Sequence, residues 1–307
     1  MDFSTLIPQL ESCGCTVTEY VPFSALTTFK IGGPARLLAD VPLTAVPALG
    51  DVLRQCKDAG IPTVWIGRGS NLLCADEGLS ALVLRLETNS GVNVEDGRLL
   101  SCSAGETLTA LCRTAQKNGL TGLEFAFGIP GSVGGAVYMN AGAYGGEIKD
   151  VLDSVDVLTP DGKIKHLTAA MLDLSYRHSR LMETGDVVVT ATFKLKSGDP
   201  TAILDKMNEL TARRREKQPL EYPSAGSFFK RPEGFFAGKL VEDCGFKGFT
   251  VGGAQVSEKH AGFVINRGDA TCADIKALAK AVHDKVLAET GAELRPEVRL
   301  IGTTWDF

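Results

Sequence analysis

The residues with the clearest potential for chemistry are the glycines of a stretch that runs from residue 128 to residue 146, GIPGSVGGAVYMNAGAYGG. Seven of its nineteen residues are glycine, and most of the others are small or apolar. So few large side chains predict neither a good helix nor a good strand. Successive exposed backbone N–H groups form a concave site for an anion such as phosphate. The stretch therefore favours backbone wrapped around a large, partly apolar, phosphate-bearing ligand, with a tight crossover between packed elements as the alternative.

A second glycine cluster lies upstream and follows a short apolar strand predicted at residues 63–67. Because position 72 is leucine, the cluster lacks the last glycine of the dinucleotide fingerprint G-x-G-x-x-G, which argues against a Rossmann fold. Small residues after a strand still fit another kind of phosphate-binding turn, and an ordinary Gly-Ser-Asn loop is the alternative. The cluster consists of Gly67, Arg68, Gly69, Ser70, Asn71 and Leu72.

The overall composition limits the class of protein. The chain has 307 residues, 44% of them hydrophobic, with a net charge of −5 and a pI near 5.5. This length suits about two domains, and the acidic balance argues against nucleic acid or an anionic membrane as partner. The start, MDFSTLIPQL, lacks the features of a signal peptide, and no apolar run is long enough to span a bilayer. We therefore expect a cytoplasmic protein.

The eight cysteines are scattered, and no C-x-x-C pair occurs. Without an export signal, reduced and mostly buried thiols are expected. The sequence also contains no H-E-x-x-H, Walker A or EF-hand pattern. We therefore expect neither a disulfide framework nor a metal site.

Hydrophobic periodicity predicts a mixture of helices and strands, and hence an α+β fold. The clearest helix begins at the capping-box pair Thr271 and Asp274 and ends at Gly291. Asp199 and Pro200 mark a boundary between two regions. Further helices are expected at residues 47–59, 108–118 and 201–217, strands at 35–41, 63–67, 81–86, 99–103 and 187–196, a hairpin at 151–158 and 163–167, and strands or short helices at 238–244, 262–266 and 297–301.

The two glycine clusters, in this order, resemble the FAD-binding domain of the vanillyl-alcohol-oxidase (PCMH) type. Four further segments narrow the resemblance to the UDP-N-acetylenolpyruvoylglucosamine reductase (MurB) family. The resemblance extends over nearly the whole chain, from about residue 27 to residue 301. The four segments are SYRHS at residues 175–179, SAGSFFK at 224–230, VSEKH at 256–260 and LRPEVR at 294–299.

This resemblance implies a fold and an activity. The expected architecture is an FAD-binding region of two α+β lobes at residues 1–200 and an α+β substrate-binding domain at 201–307, whose last strand is free to return to the FAD-binding region. The implied reaction uses NADPH and FAD to reduce the enolpyruvyl ether of UDP-N-acetylglucosamine to UDP-N-acetylmuramate, in bacterial peptidoglycan synthesis. We expect a monomer that binds a UDP-sugar and neither nucleic acid nor a membrane.

The resemblance also assigns catalytic roles to Arg177, Ser227 and Glu297. A guanidinium at residue 177 fits stabilisation of an enolate, Ser227 corresponds to the proton donor, and Glu297 to a second acid. Each has a plainer alternative. In the plainer interpretation, Arg177 is a solvent-facing residue at a strand end, and Ser227 is a small residue of a Gly-Ser turn. Glu297 would be a structural carboxylate paired with Arg299, because residues two apart in a strand are expected to share one face.

Binding residues follow from the same resemblance. Lys217 matches a lysine that contacts the diphosphate and Tyr144 a tyrosine that contacts the substrate, while Lys230, His260 and Arg299 are weaker candidates. The neighbouring arginines, residues 213–215, are alternatively the solvated face of a helix. The FAD contacts fall on Gly67, Arg68, Gly69, Ser70, Asn71, Leu72, Gly128, Ile129, Gly131, Ser132, Gly134 and Gly135, through backbone donation to pyrophosphate and close approach to the flavin ring.

The chain departs from the family pattern in two places. Only fifty residues separate Arg177 from Ser227, so we infer the shorter subtype, without the tyrosine-bearing loop that some members place over the substrate. Arg231 stands where other members can have asparagine, which leaves that substrate contact open. The alternative function is that of another FAD-dependent oxidoreductase with the same flavin fold.

Overall fold

The computed structural model describes residues 2–88 and 91–307, along which helices and strands alternate. Short 3₁₀ segments lie at residues 43–48, 124–126, 148–150 and 169–172. The helices are α1 (Phe3–Ser12), α2 (Phe23–Leu26), α3 (Leu49–Asp58), α4 (Leu108–Lys117), α5 (Val133–Tyr138), α6 (Leu181–Thr184), α7 (Pro200–Lys217), α8 (Ala237–Asp243) and α9 (Cys272–Thr290). The strands are β1 (Thr16–Pro22), β2 (Pro34–Val41), β3 (Thr63–Ile66), β4 (Leu72–Cys74), β5 (Leu79–Leu86), β6 (Val92–Glu95), β7 (Leu99–Ser103), β8 (Leu120–Thr121), β9 (Gly142–Ala143), β10 (Gly146–Glu147), β11 (Leu152–Leu158), β12 (Ile164–Thr168), β13 (Val187–Lys194), β14 (Lys196–Ser197), β15 (Ser224–Ser227), β16 (Thr250–Val251), β17 (Ala254–Val256), β18 (Phe263–Asn266) and β19 (Arg299–Ile301).

The strands of the described residues form three larger sheets and three two-stranded ones. The larger sheets have the orders β12-β11-β13-β7-β6, β1-β2-β5-β3 and β15-β18-β17-β16. β3 and β5 run parallel, as do β19 and β4, whereas β11 pairs antiparallel with both β12 and β13. The hairpin expected from the Pro-Asp-Gly turn is thus confirmed as β11 and β12.

Contacts divide the chain into two compact units. Unit 1 comprises the residues up to Glu19, Leu37–Arg68 and Ala81–Arg213. Its core includes Leu100, Val155 and Phe193 from the five-stranded sheet, packed with Leu111 of α4. Burial along β11 does not alternate strictly: Asp153 is exposed and Asp156 half-buried, while the other five residues are buried. The pairing of β11 with β13 shifts register at two places, which interrupts the regular alternation of faces.

Unit 2 comprises Tyr20–Arg36, Gly69–Ser80 and Arg214–Phe307. Two short segments from the first eighty residues therefore fold with the C-terminal part of the chain. Its core packs α9 with residues of these segments and of the stretch at and just after β15, among them Phe29, Leu73, Phe228 and Ile275.

Local sequence signals predict the ends of α9 correctly. Thr271 Oγ1 accepts a hydrogen bond from the N–H of Asp274, and the Asp274 carboxylate accepts one from the N–H of Thr271, so the capping box is formed. Gly291 ends the helix with φ of 72°, a conformation that glycine adopts without strain. No helix within the described ranges is both long and apolar enough to cross a membrane.

The glycine-rich stretch contains a helix, so the expectation that it forms none is wrong. α5 begins after Ser132, whose Oγ accepts the N–H of Gly135 at 3.2 Å. The N–H groups of Val133 and Gly134 donate to backbone carbonyls of Glu106 and Ala104, both at 2.8 Å. A short helix is stable here because the donors of its first turn all have protein acceptors.

Candidate active site

The two glycine clusters meet in unit 1 at Gly67 and Ser132. A Cβ added to Gly67 would lie 2.2 Å from Ser132 Oγ, much closer than real Cβ atoms approach other atoms. Ser132 is only 3% exposed, so its side chain has little room to move away. A side chain at residue 67 would therefore have to displace the Ser132 hydroxyl, because the second cluster lies against the first at this point.

The backbone N–H groups at the start of α5 are unequally available to a ligand. Those of Gly134 and Gly135 already donate within the protein, so backbone donation to pyrophosphate is the wrong reason for these two glycines. Within residues 2–88 and 91–307, the N–H groups of Gly131 and Ser132 donate to no protein acceptor. Of the N–H groups predicted to bind an anion in this stretch, those just before the helix are therefore the ones still available to a ligand. Gly128 and Ile129 lie just upstream, where Gly128 has φ of 85°.

The upstream cluster is divided between the units: Gly67 and Arg68 belong to unit 1, and residues 69–72 to unit 2. In unit 2, a Cβ on Gly69 would lie 2.1 Å from the carbonyl oxygen of Leu26. The carbonyl of Gly69 also accepts the N–H of Thr28 at 3.2 Å. Chain packing alone therefore requires glycine at residue 69, in agreement with the plainer interpretation of that residue. Half-buried Ser70 follows it.

Asn71 connects the upstream cluster with the C-terminal motif. Its side-chain amide donates to the carbonyl of Glu297 at 3.1 Å, and its own carbonyl accepts the N–H of Arg299 at 3.0 Å. In the parallel pair β19 and β4, Arg299 lies opposite Leu72. Residues predicted to contact FAD and residues predicted to act on the substrate are therefore neighbours within unit 2.

The serine motif and the glutamate motif lie side by side in unit 2. The N–H of Glu297 donates to the carbonyl of Phe228 at 2.8 Å, and Phe229 pairs with Pro296 in an antiparallel bridge. Ser227 is exposed and Glu297 half-buried. Two catalytic candidates, seventy residues apart in sequence, are thus held on adjacent backbone segments.

The expectation that Glu297 and Arg299 share one strand face is wrong. β19 begins only at Arg299, and the backbone of Glu297 pairs instead with the segment that follows Ser227. The physical reason is that Pro296 and Glu297 form a separate short pairing before the strand begins. Glu297 and Arg299 therefore do not belong to one strand.

His260 is connected to the serine motif through the backbone of Gly262. Its Nδ1 accepts the N–H of Gly262 at 3.0 Å, and the carbonyl of Gly262 accepts the N–H of Phe228 at 2.8 Å. Acceptance at Nδ1 requires a neutral ring with its proton on Nε2. Burial lowers the pKa of His260, and the nearby positive charges of Lys247 and Lys217 lower it further. The ring thus supports the backbone next to Ser227 in its neutral form.

The basic cluster at the end of α7 is only partly a solvated helix face. Arg214 is 6% exposed, so for this residue the interpretation as a solvated face is wrong. Lys217, the last residue of α7, is exposed, as a diphosphate contact requires. Lys259 donates to the carbonyl of Arg215 at 2.8 Å and so caps the helix end. Lys230 is half-buried.

Arg177 lies in unit 1 at the tip of a two-residue turn. Ser175 and His178 close this turn with reciprocal backbone hydrogen bonds of 3.2 Å. Arg177 has φ of 54°, a left-handed conformation unusual for a non-glycine residue. Its guanidinium donates to the carbonyl of Gly142 at 3.1 Å. Arg177 is therefore a fixed, half-buried residue of a turn, and the interpretation as a solvent-facing strand end is wrong.

Tyr144 lies in the same unit and shares the unusual backbone conformation. Its φ is 52°, and its ring is 39% exposed. The Arg213 guanidinium lies 5.1 Å from the ring centroid. Residues in sparsely populated conformations persist where surrounding structure holds them, and they cluster at functional sites.

Sequence analysis missed Asn140 and Glu147, which tie the Arg177 turn to the glycine-rich stretch. Asn140 is fully buried, and its amide donates to the carbonyl of Ser175 at 2.9 Å. The sequence signal for Asn140 is its polarity in a stretch of glycine and mostly small or apolar residues, and Glu147 is the charged residue that directly follows this stretch.

Comparison with known proteins defines the class first. Residues 41–168 match the family model described as FAD binding domain, and residues 218–301 match the model described as UDP-N-acetylenolpyruvoylglucosamine reductase, C-terminal domain. The chain thus joins an FAD-binding domain to a C-terminal domain of one reductase family, and the predicted fold class is confirmed.

Whole-chain similarity then gives the family. The chain is 50% identical over 290 residues to the UDP-N-acetylenolpyruvoylglucosamine reductase of Lachnoclostridium phytofermentans, with 93% of each chain covered, and 49% identical over 306 residues to that of Agathobacter rectalis, with 96% of each covered. A crystal structure of the UDP-N-acetylenolpyruvylglucosamine reductase (MurB) from Thermus caldophilus superimposes with a TM-score of 0.79 at 36% identity, covering 93% of this chain and 99% of the other. The chain belongs to the UDP-N-acetylenolpyruvoylglucosamine reductase family.

Proposed function

We propose that the chain reduces UDP-N-acetylglucosamine enolpyruvate to UDP-N-acetylmuramate with NADPH as reductant and FAD as cofactor, and that Arg177, Ser227 and Glu297 are its catalytic residues. Family membership supports the reaction and the cofactor. The single observation that supports the catalytic residues best is the side-by-side placement, in unit 2, of the Ser227 and Glu297 segments, with Asn71 bonded to Glu297.

The residues present fit FAD. Gly67 leaves room for no side chain beside Ser132, and Gly131 and Ser132 offer backbone N–H groups before a helix, which suits a pyrophosphate. When bound, FAD supplies the hydride chemistry, which takes a hydride equivalent from NADPH and passes it to the substrate. Residues of the two glycine clusters would hold it.

Arg177 is suited to stabilise the charge that develops on the substrate. Hydride addition to the terminal carbon of the enolpyruvyl group leaves an electron pair on the next carbon, which delocalises into the carboxylate. A fixed donor aimed at such charge contributes about 3 kcal/mol to lowering the barrier. Because Arg177 is held by Gly142 and by its own strained turn, little reorganisation accompanies charge development.

Ser227 is suited to deliver the proton that completes the reduction. Its hydroxyl gives a proton to the electron-rich carbon, and since Ser227 is exposed, water replaces that proton afterwards. Glu297 acts as a second donor to the enolate oxygens. Its main-chain position is fixed by hydrogen bonds on both its N–H and its carbonyl.

Substrate binding is assigned from the family resemblance. Lys217 contacts the diphosphate, Tyr144 contacts the substrate, and Lys230, His260 and Arg299 are further candidates. In the proposed division, residues 1–200 form the FAD-binding region and residues 201–307 the substrate-binding domain, and the first region also supplies Tyr144 and Arg177. We further infer that the protein is a cytoplasmic monomer without nucleic-acid or membrane partners. Its proposed role is in cell-wall synthesis and hence in cell shape and division.

The decisive experiment separates the two half-reactions in the Ser227→Ala variant. NADPH should still reduce the bound flavin at the wild-type rate, whereas turnover of UDP-N-acetylglucosamine enolpyruvate should fall by about 100-fold or more. Ser224→Ala, in the same strand, is the matched control and should keep both rates. Unchanged turnover in Ser227→Ala would remove that residue from the mechanism, and NADPH oxidation that ignores this substrate would favour another FAD-dependent oxidoreductase.

A further inference from the structure

The turn that carries Arg177 is fastened to the glycine-rich stretch at three points. The Asn140 amide donates to the carbonyl of Ser175 at 2.9 Å, and the Ser179 hydroxyl donates to the carbonyl of Tyr138 at 2.6 Å. Arg177 itself donates to the carbonyl of Gly142. Both ends of the turn and the guanidinium at its tip are thus bonded to one stretch of unit 1.

Asn140 is the most deeply placed of these fasteners. It is 0% exposed and has φ of 40°, a conformation that asparagine tolerates better than most residues. Its Nδ2 faces two acceptors, the Ser175 carbonyl and Glu147 Oε2 at 3.2 Å, while its Oδ1 accepts the N–H of Lys149 at 2.9 Å. The NH₂ group of Asn140 thus donates and its side-chain oxygen accepts, as an amide can. The side chain connects the backbone around Asn140 itself with residues 147–149 and with Ser175.

Glu147 extends the connection to the charge of Arg177. The hydrogen bond from Lys149, at 2.7 Å, is the main reason that the pKa of Glu147 is lowered, and the Asn140 amide and the positive charge of Arg177 lower it further. A carboxylate that is ionised, bonded to Asn140 and within the field of Arg177 is a fixed counter-charge. It favours one placement of the guanidinium.

We propose that Asn140 is a positioning residue that fixes the Arg177 turn on the glycine-rich stretch, so that the guanidinium is in place when charge develops on the substrate. The proposal rests on the proposed role of Arg177 in the reduction. Asn140 itself touches no substrate; it acts through the Ser175 carbonyl and through Glu147. A displacement of about 1 Å at a charge-stabilising group is enough to cost about 100-fold in rate.

The test is a double-mutant cycle with Arg177→Ala in the holoenzyme. Asn140→Asp keeps the left-handed backbone and the acceptor for Lys149 but removes the donor to Ser175 and places a second carboxylate beside Glu147. We expect kcat to fall about 10- to 100-fold in the otherwise wild-type enzyme, but by no more than about twofold when Arg177 is already alanine. NADPH reduction of the flavin should be unchanged, and KM should change less than kcat.

Two further variants keep the test decisive. Asn140→Gly preserves the left-handed backbone without a new buried charge, and it serves if the aspartate variant does not fold. Thr159→Val removes a buried hydroxyl with several hydrogen bonds in the β11–β12 turn of the same unit, so it should lower the thermal midpoint and leave kcat within about twofold.

The outcomes distinguish this proposal from the one on which it rests. Equal losses of kcat in both Arg177 backgrounds would show a general structural effect and overturn the positioning role, as would wild-type kcat in both Asn140 variants. If Arg177→Ala itself keeps full turnover, the proposed role of Arg177 fails first. If Arg177→Ala loses turnover and the Asn140 variants do not, only the inference about Asn140 fails.

Discussion

The contact between Gly67 and Ser132 allows a quantitative test of how the two glycine clusters fit together. A methyl group added at residue 67 lies 2.2 Å from Ser132 Oγ but 3.4 Å from Ser132 Cβ. The first distance is impossible without movement, whereas the second is ordinary contact. Gly67 does not have a positive φ, so alanine is compatible with its backbone. The clash in Gly67→Ala is therefore confined to one hydroxyl group.

The magnitude follows from what Ser132 must give up. If its hydroxyl rotates away, it loses the N-cap bond to the N–H of Gly135, which costs about 1 kcal/mol. Displacing a residue that is only 3% exposed adds about 1–2 kcal/mol of packing strain. Gly67→Ala should thus lower the free energy of unfolding by about 2–3 kcal/mol, and Ser132→Ala alone by about 1 kcal/mol.

The double variant gives the sharper result. Gly67→Ala with Ser132→Ala should be no less stable than Ser132→Ala alone, because the clashing oxygen is gone, so the coupling energy is about 2–3 kcal/mol, the whole loss expected for Gly67→Ala alone. Urea unfolding of flavin-free protein measures it without a contribution from ligand binding. Gly135→Ala is the graded comparison: its Cβ would lie 3.3 Å from the same oxygen, and alanine is favoured in a helix, so its effect should stay within about 1 kcal/mol. Additive losses from Gly67→Ala and Ser132→Ala would refute the reasoning.

Two further predictions concern unit 2. The folded-state pKa of His260 lies below its ordinary value of 6.5, so the stability that neutral His260 contributes is present above that pH and is lost as the pH falls through the lower folded-state pKa. His260→Asn keeps an acceptor for the N–H of Gly262 but does not titrate in this range. Urea titrations at pH 8 and pH 5 should therefore show a smaller loss of stability in this variant than in the wild type. The carboxylate of Asp76 accepts hydrogen bonds from the N–H groups of Cys272 and Ala273 at the start of α9, at 2.7 and 3.1 Å. Asp76→Ala should therefore lower the urea midpoint by the equivalent of about 1–2 kcal/mol. An unchanged midpoint would count against a capping role.

Local signals predicted the regular elements well. The capping box and the closing glycine of α9, the Pro-Asp-Gly hairpin and the long helix α7 all depend on residues within a few positions of one another, so the sequence contains the whole cause. The helix in the glycine-rich stretch was missed because its first-turn donors are satisfied by carbonyls of residues 104 and 106, about thirty positions upstream. The composition of the stretch does not predict hydrogen-bond partners that lie so far away in the sequence.

The sequence by itself determined the family, the order of the motifs and the residue types available for chemistry, because all of these are properties of the chain read in order. Only the tertiary structure decided which of those residues become neighbours. It placed Glu297 beside the serine motif rather than on one strand face with Arg299, and it buried Asn140 under the Arg177 turn. The physical reason is that these placements depend on backbone hydrogen bonds between segments far apart in sequence, whose partners are set by packing of the whole unit.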